Sequence, residues 1–184
     1  VGVTRVPLVC QSCVFDLAIG RKDVRPDAAM AYQACLNARR DTVEEGCVGA
    51  GTGCTVGKCG GADFAMKSGL GTYAVRNGDL CVGAIVAVNA MGDIYDIDTG
   101  KQLAGLRGED GTGLRSSEEF IYEMEAQKAA GYAANTTIGA IVTNAAFDKS
   151  KMGKIAAMVH NGFARTIRPV HTSNDGDSIY ALSL

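Results

Sequence analysis

Net charge is nearly absent from this chain. Its 184 residues carry 18 Lys and Arg against 20 Asp and Glu, a formal charge of −2. A protein built to hold nucleic-acid phosphates needs a basic surplus, so that class is excluded. No run of twenty apolar residues occurs and no signal or transit peptide is recognisable, so a soluble protein without a membrane partner is expected. Histidine is scarce too, with only His160 and His171. Both read as structural, and no Gly-x-Ser-x-Gly elbow is present to offer a serine to either. Cys10-x-x-Cys13 has no second such pair, and Cys54 and Cys59 have no histidine close in sequence. Zinc is therefore not expected. Most of the seven cysteines read as buried, inert thiols of a reducing compartment, most simply the cytoplasm.

Glycine is what the chain has in excess, with 24 copies where about 7% is usual. They follow no collagen period, so they mark tight turns and close backbone approaches. Seven fall in GCVGAGTGCTVGKCGG, residues 46–61, which reads as a backbone-defined loop. It imitates a phosphate cradle without being one. The P-loop pattern needs Gly at 52 and Ser or Thr at 59, where Thr52 and Cys59 stand. The dinucleotide fingerprint fails at Cys54. No cofactor is expected.

The length suits one domain over residues 1–184. Residues 6–19 are apolar and read as a buried strand or packed loop. Arg25-Pro26-Asp27 opens a small-faced, alanine-rich helix that can pack closely. Residues 70–75 and 80–89 flank Asn77-Gly78 as a hairpin, and their β-branched residues predict a sheet buried on both faces. Residues 101–134 read as a long polar surface excursion, with Ser116 and Glu119 spaced as a capping box. Residues 138–142 return to core strand. Asp148 caps a helix running to about Arg165, Pro169 ends that segment, Asp175-Gly176-Asp177 is a turn, and residues 178–182 form a last strand.

The join between excursion and strand is the informative place. A threonine whose own α-amino group is free combines nucleophile and base, because an α-amine titrates near pH 7.7–8.0 whereas the hydroxyl alone is inert. For Thr136 this requires scission of the Asn135–Thr136 bond. A hydrophilic loop leading into a Thr-initiated strand is the architecture that such self-cleavage needs.

GAGTGCTVGK (49–58), GLGTYAV (69–75), VGAIVAVNAMGD (82–93), NTTIGAIVTNA (135–145) and RPVHTSNDGD (168–177) stand in one order. Together they resemble the DmpA-type aminopeptidase family, which includes β-aminopeptidases and endo-type 6-aminohexanoate-oligomer (nylon-oligomer) hydrolases. The Asn-Thr junction is most similar to the nylon-oligomer branch. The resemblance implies an α+β fold, specifically the αββα sandwich of N-terminal-nucleophile hydrolases. It also implies cleavage into two subunits that stay associated, here 1–135 and 136–184. It makes Thr136 the nucleophile, Asn135–Thr136 the processed bond, and Asn89 an oxyanion donor. Lys58 becomes a partner of the threonine hydroxyl, and Asp175 and Asp177 orient the amine and the lysine. Expected partners are a small amide or peptide substrate and further copies in a homo-oligomer. The family's precursors carry a further N-terminal portion, so part of the pocket wall is expected to be missing. Cys54 stands where a small residue is usual. An acyltransferase of the ornithine acetyltransferase type and an inactive fragment are the alternatives.

Overall fold

In the computed structural model, which describes residues 2–126 and 135–184, the chain opens as an extended segment. Residues 6–19 form no strand, and Val6, Leu8 and Val9 stand largely in solvent. A strand needs a neighbour for its N–H and C=O groups, and among the described residues nothing pairs with this one. The segment reaches the body further on, where Ser12 meets the Tyr180 hydroxyl at 2.5 Å and the Phe15 carbonyl meets Asn89. Helix α1 (Ala28–Asn37) follows. Asp27 caps it by accepting from the Met30 N–H at 2.8 Å, so Pro26 precedes the helix instead of entering its first turn. Its small face does not pack, since none of its residues is buried.

The glycine-rich loop folds into two 3-10 turns, Gly49–Gly51 and Lys58–Gly60, around strand β1 (Thr55–Val56), which pairs with β2 (Met66–Lys67). Strands β3 (Leu70–Asn77) and β4 (Leu80–Ala87) form the hairpin. Asn77 pairs with Leu80, so the two-residue turn is Gly78-Asp79, one position later than the Asn77-Gly78 reading; Gly78 supplies a φ of 59°. Strands β5 (Asp93–Tyr95) and β6 (Gln102–Ala104) pair next.

The stretch expected as a surface excursion is largely exposed over its described residues but turns inward at Leu106 and Ser117. Leu106 is fully buried, because the Asp93 carboxylate gathers the loop around it. That carboxylate accepts from the N–H of Leu106 at 2.8 Å, the N–H of Ser117 at 2.7 Å and the Ser117 hydroxyl at 2.6 Å. Helix α2 (Ser117–Ala126) then carries the acidic run, with the Ser116 hydroxyl accepting from the Glu119 N–H at 3.2 Å. The end of the excursion, 127–134, lies outside the described residues.

Strand β7 (Ile138–Thr143), helix α3 (Lys149–Thr166), strand β8 (Ile167–Arg168) and strand β9 (Ser178–Ser183) complete the chain. Asp148 caps α3 as expected, accepting from the Lys151 N–H at 2.8 Å. The main sheet runs β3-β4-β7-β9, antiparallel except for the parallel pair β7–β9; a smaller sheet runs β6-β5-β8. Side chains alternate across each strand, so the register assigns them to faces. The face carrying Val86, Gly139 and Ile179 meets Phe163 of α3. The core joins Phe163, Ile167, Val56 and Ala90. The opposite face carries Ile85, Ala140, Val142 and Leu182. Among the described residues it is open, with Ile85 37% and Leu182 46% exposed, so the expected two-sided burial is realised on one side only.

Candidate active site

Thr136 lies two residues ahead of β7 and is nearly buried, as are Asn135 and Thr137 beside it. Its backbone N–H donates to the carbonyl of Asn89, just past the end of β4, at 3.2 Å. Its hydroxyl donates to the carbonyl of Asn135 at 2.5 Å. The nucleophile candidate thus rests against the very carbonyl that self-cleavage would attack.

Lys58 reaches the same point from the glycine-rich loop. Gly57 turns the chain with a φ of 66°, and two backbone bonds fasten it: Gly57 N–H to the Gly92 carbonyl at 3.0 Å, and Lys58 N–H to the Met91 carbonyl at 2.9 Å. No side chain fits at 57, where a Cβ would lie 1.9 Å from the Leu106 nitrogen. The Lys58 Nζ donates to the Asn89 carbonyl at 3.0 Å and to the Asn89 side-chain oxygen at 2.6 Å. Lys58 and the Thr136 nitrogen therefore share one acceptor. Burial pushes the Lys58 ammonium down from its ordinary 10.5 to about 8, although the nearby carboxylates of Asp175 and Asp16 work against that. Cys54 itself is fully buried, donates to the Ala50 carbonyl at 3.2 Å, and is pushed up to about 11 by burial. It stays a thiol at neutral pH and is a compact packing residue. The cysteines as a group depart from expectation. Cys54 and Cys59 are buried, but Cys10, Cys13, Cys35, Cys47 and Cys81 are exposed, and all seven are free thiols.

Asn89 is fully buried and held on both ends of its amide. The oxygen accepts from Lys58 and from the Thr55 N–H at 3.1 Å, and the nitrogen donates to the Phe15 carbonyl at 3.0 Å. Phe15 belongs to the segment expected as strand or packed loop, and here its carbonyl sits where an acceptor for Asn89 is wanted. Beside it a cavity of about 60 Å³ opens, lined by Phe15, Asp16, Ile19, Thr55, Lys58 and Ala65.

The two aspartates come from the turn before β9. One oxygen of Asp175 accepts from the Thr172 N–H at 2.8 Å, which fastens the turn. The other is buried without a hydrogen bond among the described residues. Asp177 accepts from the Thr137 N–H at 2.8 Å, so it holds the residue after the candidate nucleophile. Its other oxygen lies 2.8 Å from the Nδ1 of His171. Lys58 and Thr136 thus meet at one hub, the Asn89 carbonyl, whereas Asp175 reaches the junction through its bridge to Asn135 and Asp177 through Thr137. Among the described residues Lys58 hydrogen-bonds neither the Thr136 hydroxyl nor either aspartate, as the resemblance had implied it would.

His171, read from the sequence as structural, lies against Asp177 at this junction. Among the described residues it is the one non-glycine with positive φ, 55°, a conformation that costs energy and recurs at functional sites. Its Nε2 faces the His160 carbonyl at 3.4 Å while Nδ1 faces Asp177. The available signal was its place six residues before Asp177 in the same motif. His160 packs edge-on against Phe163 at 5.8 Å.

The model for peptidase family S58 matches residues 2–184. The chain belongs to that family. An uncharacterized aminopeptidase of Mycobacterium leprae is 34% identical over 186 residues, covering 97% of this chain and 49% of the relative. A 6-aminohexanoate-oligomer endohydrolase of Paenarthrobacter ureafaciens is 31% identical over 185 residues, covering 99% and 51%. The chain spans about half the length of the curated relatives it matches. Among solved structures, the L-aminopeptidase D-Ala-esterase/amidase of Ochrobactrum anthropi, described as a variant of the Ntn hydrolase fold, superposes with a TM-score of 0.55 at 21% identity. It covers 84% of this chain and 36% of that one. A Burkholderia sp. β-aminopeptidase superposes with a TM-score of 0.52 at 23% identity, covering 85% and 38%. These likenesses show the fold, the α+β Ntn-hydrolase type that the motifs implied.

Proposed function

We propose that this S58 chain is the catalytic part of a self-processing amidohydrolase whose nucleophile is Thr136. One observation carries the reading: the Thr136 hydroxyl lies on the Asn135 carbonyl, while the Thr136 nitrogen and the buried Lys58 share the Asn89 carbonyl. Scission of Asn135–Thr136 turns that nitrogen from an amide into an amine, the base that the hydroxyl lacks. Thr136 then attacks the carbonyl carbon of an amide substrate. The developing oxyanion is stabilised by the Asn89 amide, which has a second N–H besides the one given to Phe15. The tetrahedral adduct expels the substrate amine with a proton, leaving an ester on Thr136 that water hydrolyses. Asp177, fastened by His171, fixes the strand entry through Thr137, and Lys58 biases proton transfer at the hub. The substrate class we infer is small peptides, amino-acid amides or amide oligomers. The names of the relatives, aminopeptidases and an amide-oligomer endohydrolase, support it. A cytoplasmic homo-oligomer is part of the same reading. No helix among the described residues is long and apolar enough to cross a membrane.

The Thr136→Ala protein is expected to stay uncut and to turn over no amide. Thr136→Ser, which keeps a hydroxyl, retains both reactions at reduced rate. Intact mass and an amide-substrate panel measure this, and prompt cutting of Thr136→Ala rejects the assignment.

A further inference from the structure

We infer that scission and turnover use different oxyanion donors, with the backbone N–H of Gly176 serving the scission. This inference rests on the self-processing reading above. Asn89, the donor for turnover, does not touch the Asn135 carbonyl; its amide nitrogen faces Phe15. The Asn135 carbonyl oxygen instead accepts from the Gly176 N–H at 2.8 Å and from the Thr136 hydroxyl at 2.5 Å. Donor and nucleophile thus meet on the one carbonyl that must be broken.

The contact is built by the sheet. Asn135 bridges Asp175 in the same register in which Ile138 pairs with Ser178, so the ladder between β7 and β9 continues ahead of both strands to the scissile bond. Asn135 N–H donates to the Asn174 carbonyl at 3.3 Å, and the turn is braced by the Asp175 N–H on the Thr172 carbonyl at 3.0 Å. A group held by strands is positioned more accurately than one on a free loop. The same geometry explains why glycine separates the two aspartates. Gly176 does not have a positive φ, so its backbone does not require glycine. Space does: a Cβ there would lie 2.8 Å from the Thr136 hydroxyl oxygen.

The step balances as an N-to-O acyl shift. The Thr136 Oγ1 forms a bond to the Asn135 carbonyl carbon, and the carbonyl π pair moves onto its oxygen, where the Gly176 N–H stabilises it. Collapse breaks the carbon–nitrogen bond, and the proton lost from Oγ1 ends on the departing Thr136 nitrogen. Water then hydrolyses the ester, leaving an Asn135 carboxylate and the free hydroxyl and amine of Thr136.

The test replaces Gly176 by glycolic acid through semisynthesis of the full chain, exchanging the N–H for an ester oxygen without adding bulk. Intact mass follows the appearance of the 136–184 piece, with a melting curve to verify folding. The inference predicts cutting slower by a factor of about 10² to 10³. An ester chain that folds and cuts as fast as wild type overturns the Gly176 assignment alone. A wild-type chain that never cuts overturns the processing reading, and this inference with it. Should the ester chain not fold, the uncut Thr136→Ala chain decides by NMR. The inference requires a through-hydrogen-bond coupling between the Gly176 amide nitrogen and the Asn135 carbonyl carbon, and its absence in a folded sample rejects it.

Discussion

At Lys58, burial weakens an ammonium to about 8, which makes its protonation state a variable within the ordinary working range. Before scission the Thr136 nitrogen is an amide and cannot titrate, so the pH dependence of processing reports Lys58 without interference from the α-amine. Processing in the wild-type chain is expected to rise through about pH 8 as the neutral amine forms, and rates flat from pH 7 to 9 would exclude Lys58 from the proton path. Stability moves the same way. The folded pKa lies below the ordinary 10.5, so the unfolded chain binds more protons between those values and stability increases as pH climbs from about 8 towards 10.5. Thr136, Asn89, Lys58, Asp175 and Asp177 were legible because each stands inside a short motif whose residue types carry chemistry. His171 and Gly176 were not, because what brings them to the junction is a ring orientation and a backbone N–H. Those exist only after the turn before β9 has been laid against β7.

Among the elements, glycines divide sharply by what surrounds them. Gly57 has a left-handed φ and no room for a Cβ against Leu106, and it aims Lys58 at the hub. Gly57→Ala is expected to destabilise the fold by about 1–3 kcal/mol and to slow processing, both read from one preparation by melting and intact mass. Gly153 lies inside α3 with open space around it and an unexceptional φ. Gly153→Ala should raise stability by about 0.5–1 kcal/mol with processing unchanged. The sequence made helices and strands readable wherever a cap or a turn residue marks their limits, as at Asp148 and the β3–β4 hairpin. Its reading of residues 101–126 as surface holds except where Asp93 of β5 draws the loop inward at Leu106 and Ser117. That single buried carboxylate accepts three hydrogen bonds and draws Leu106 into the core. Residues 6–19 were misjudged, because apolar composition alone supplies no strand partner.

The molecule as a whole is arranged so that scission need not separate it. The piece beginning at Thr136 contributes β7, α3, β8 and β9, with β7 between β4 and β9 and β8 paired to β5. Phe163 and Ile167 from that piece pack with Val56 and Ala90 from the other. The two pieces are expected to co-elute in size-exclusion chromatography under native conditions and to part only in denaturant. The open face carrying Ile85, Val142 and Leu182 was not legible in the sequence, because an apolar strand reads alike whether or not a second layer covers it. What the account stands on is an amine liberated at residue 136, and N-terminal sequencing of the purified, active protein addresses it most directly. A second sequence starting Thr-Thr-Ile-Gly-Ala is expected in equal amount with the first; activity from a chain with an intact Asn135–Thr136 bond would rule out the liberated amine as the base.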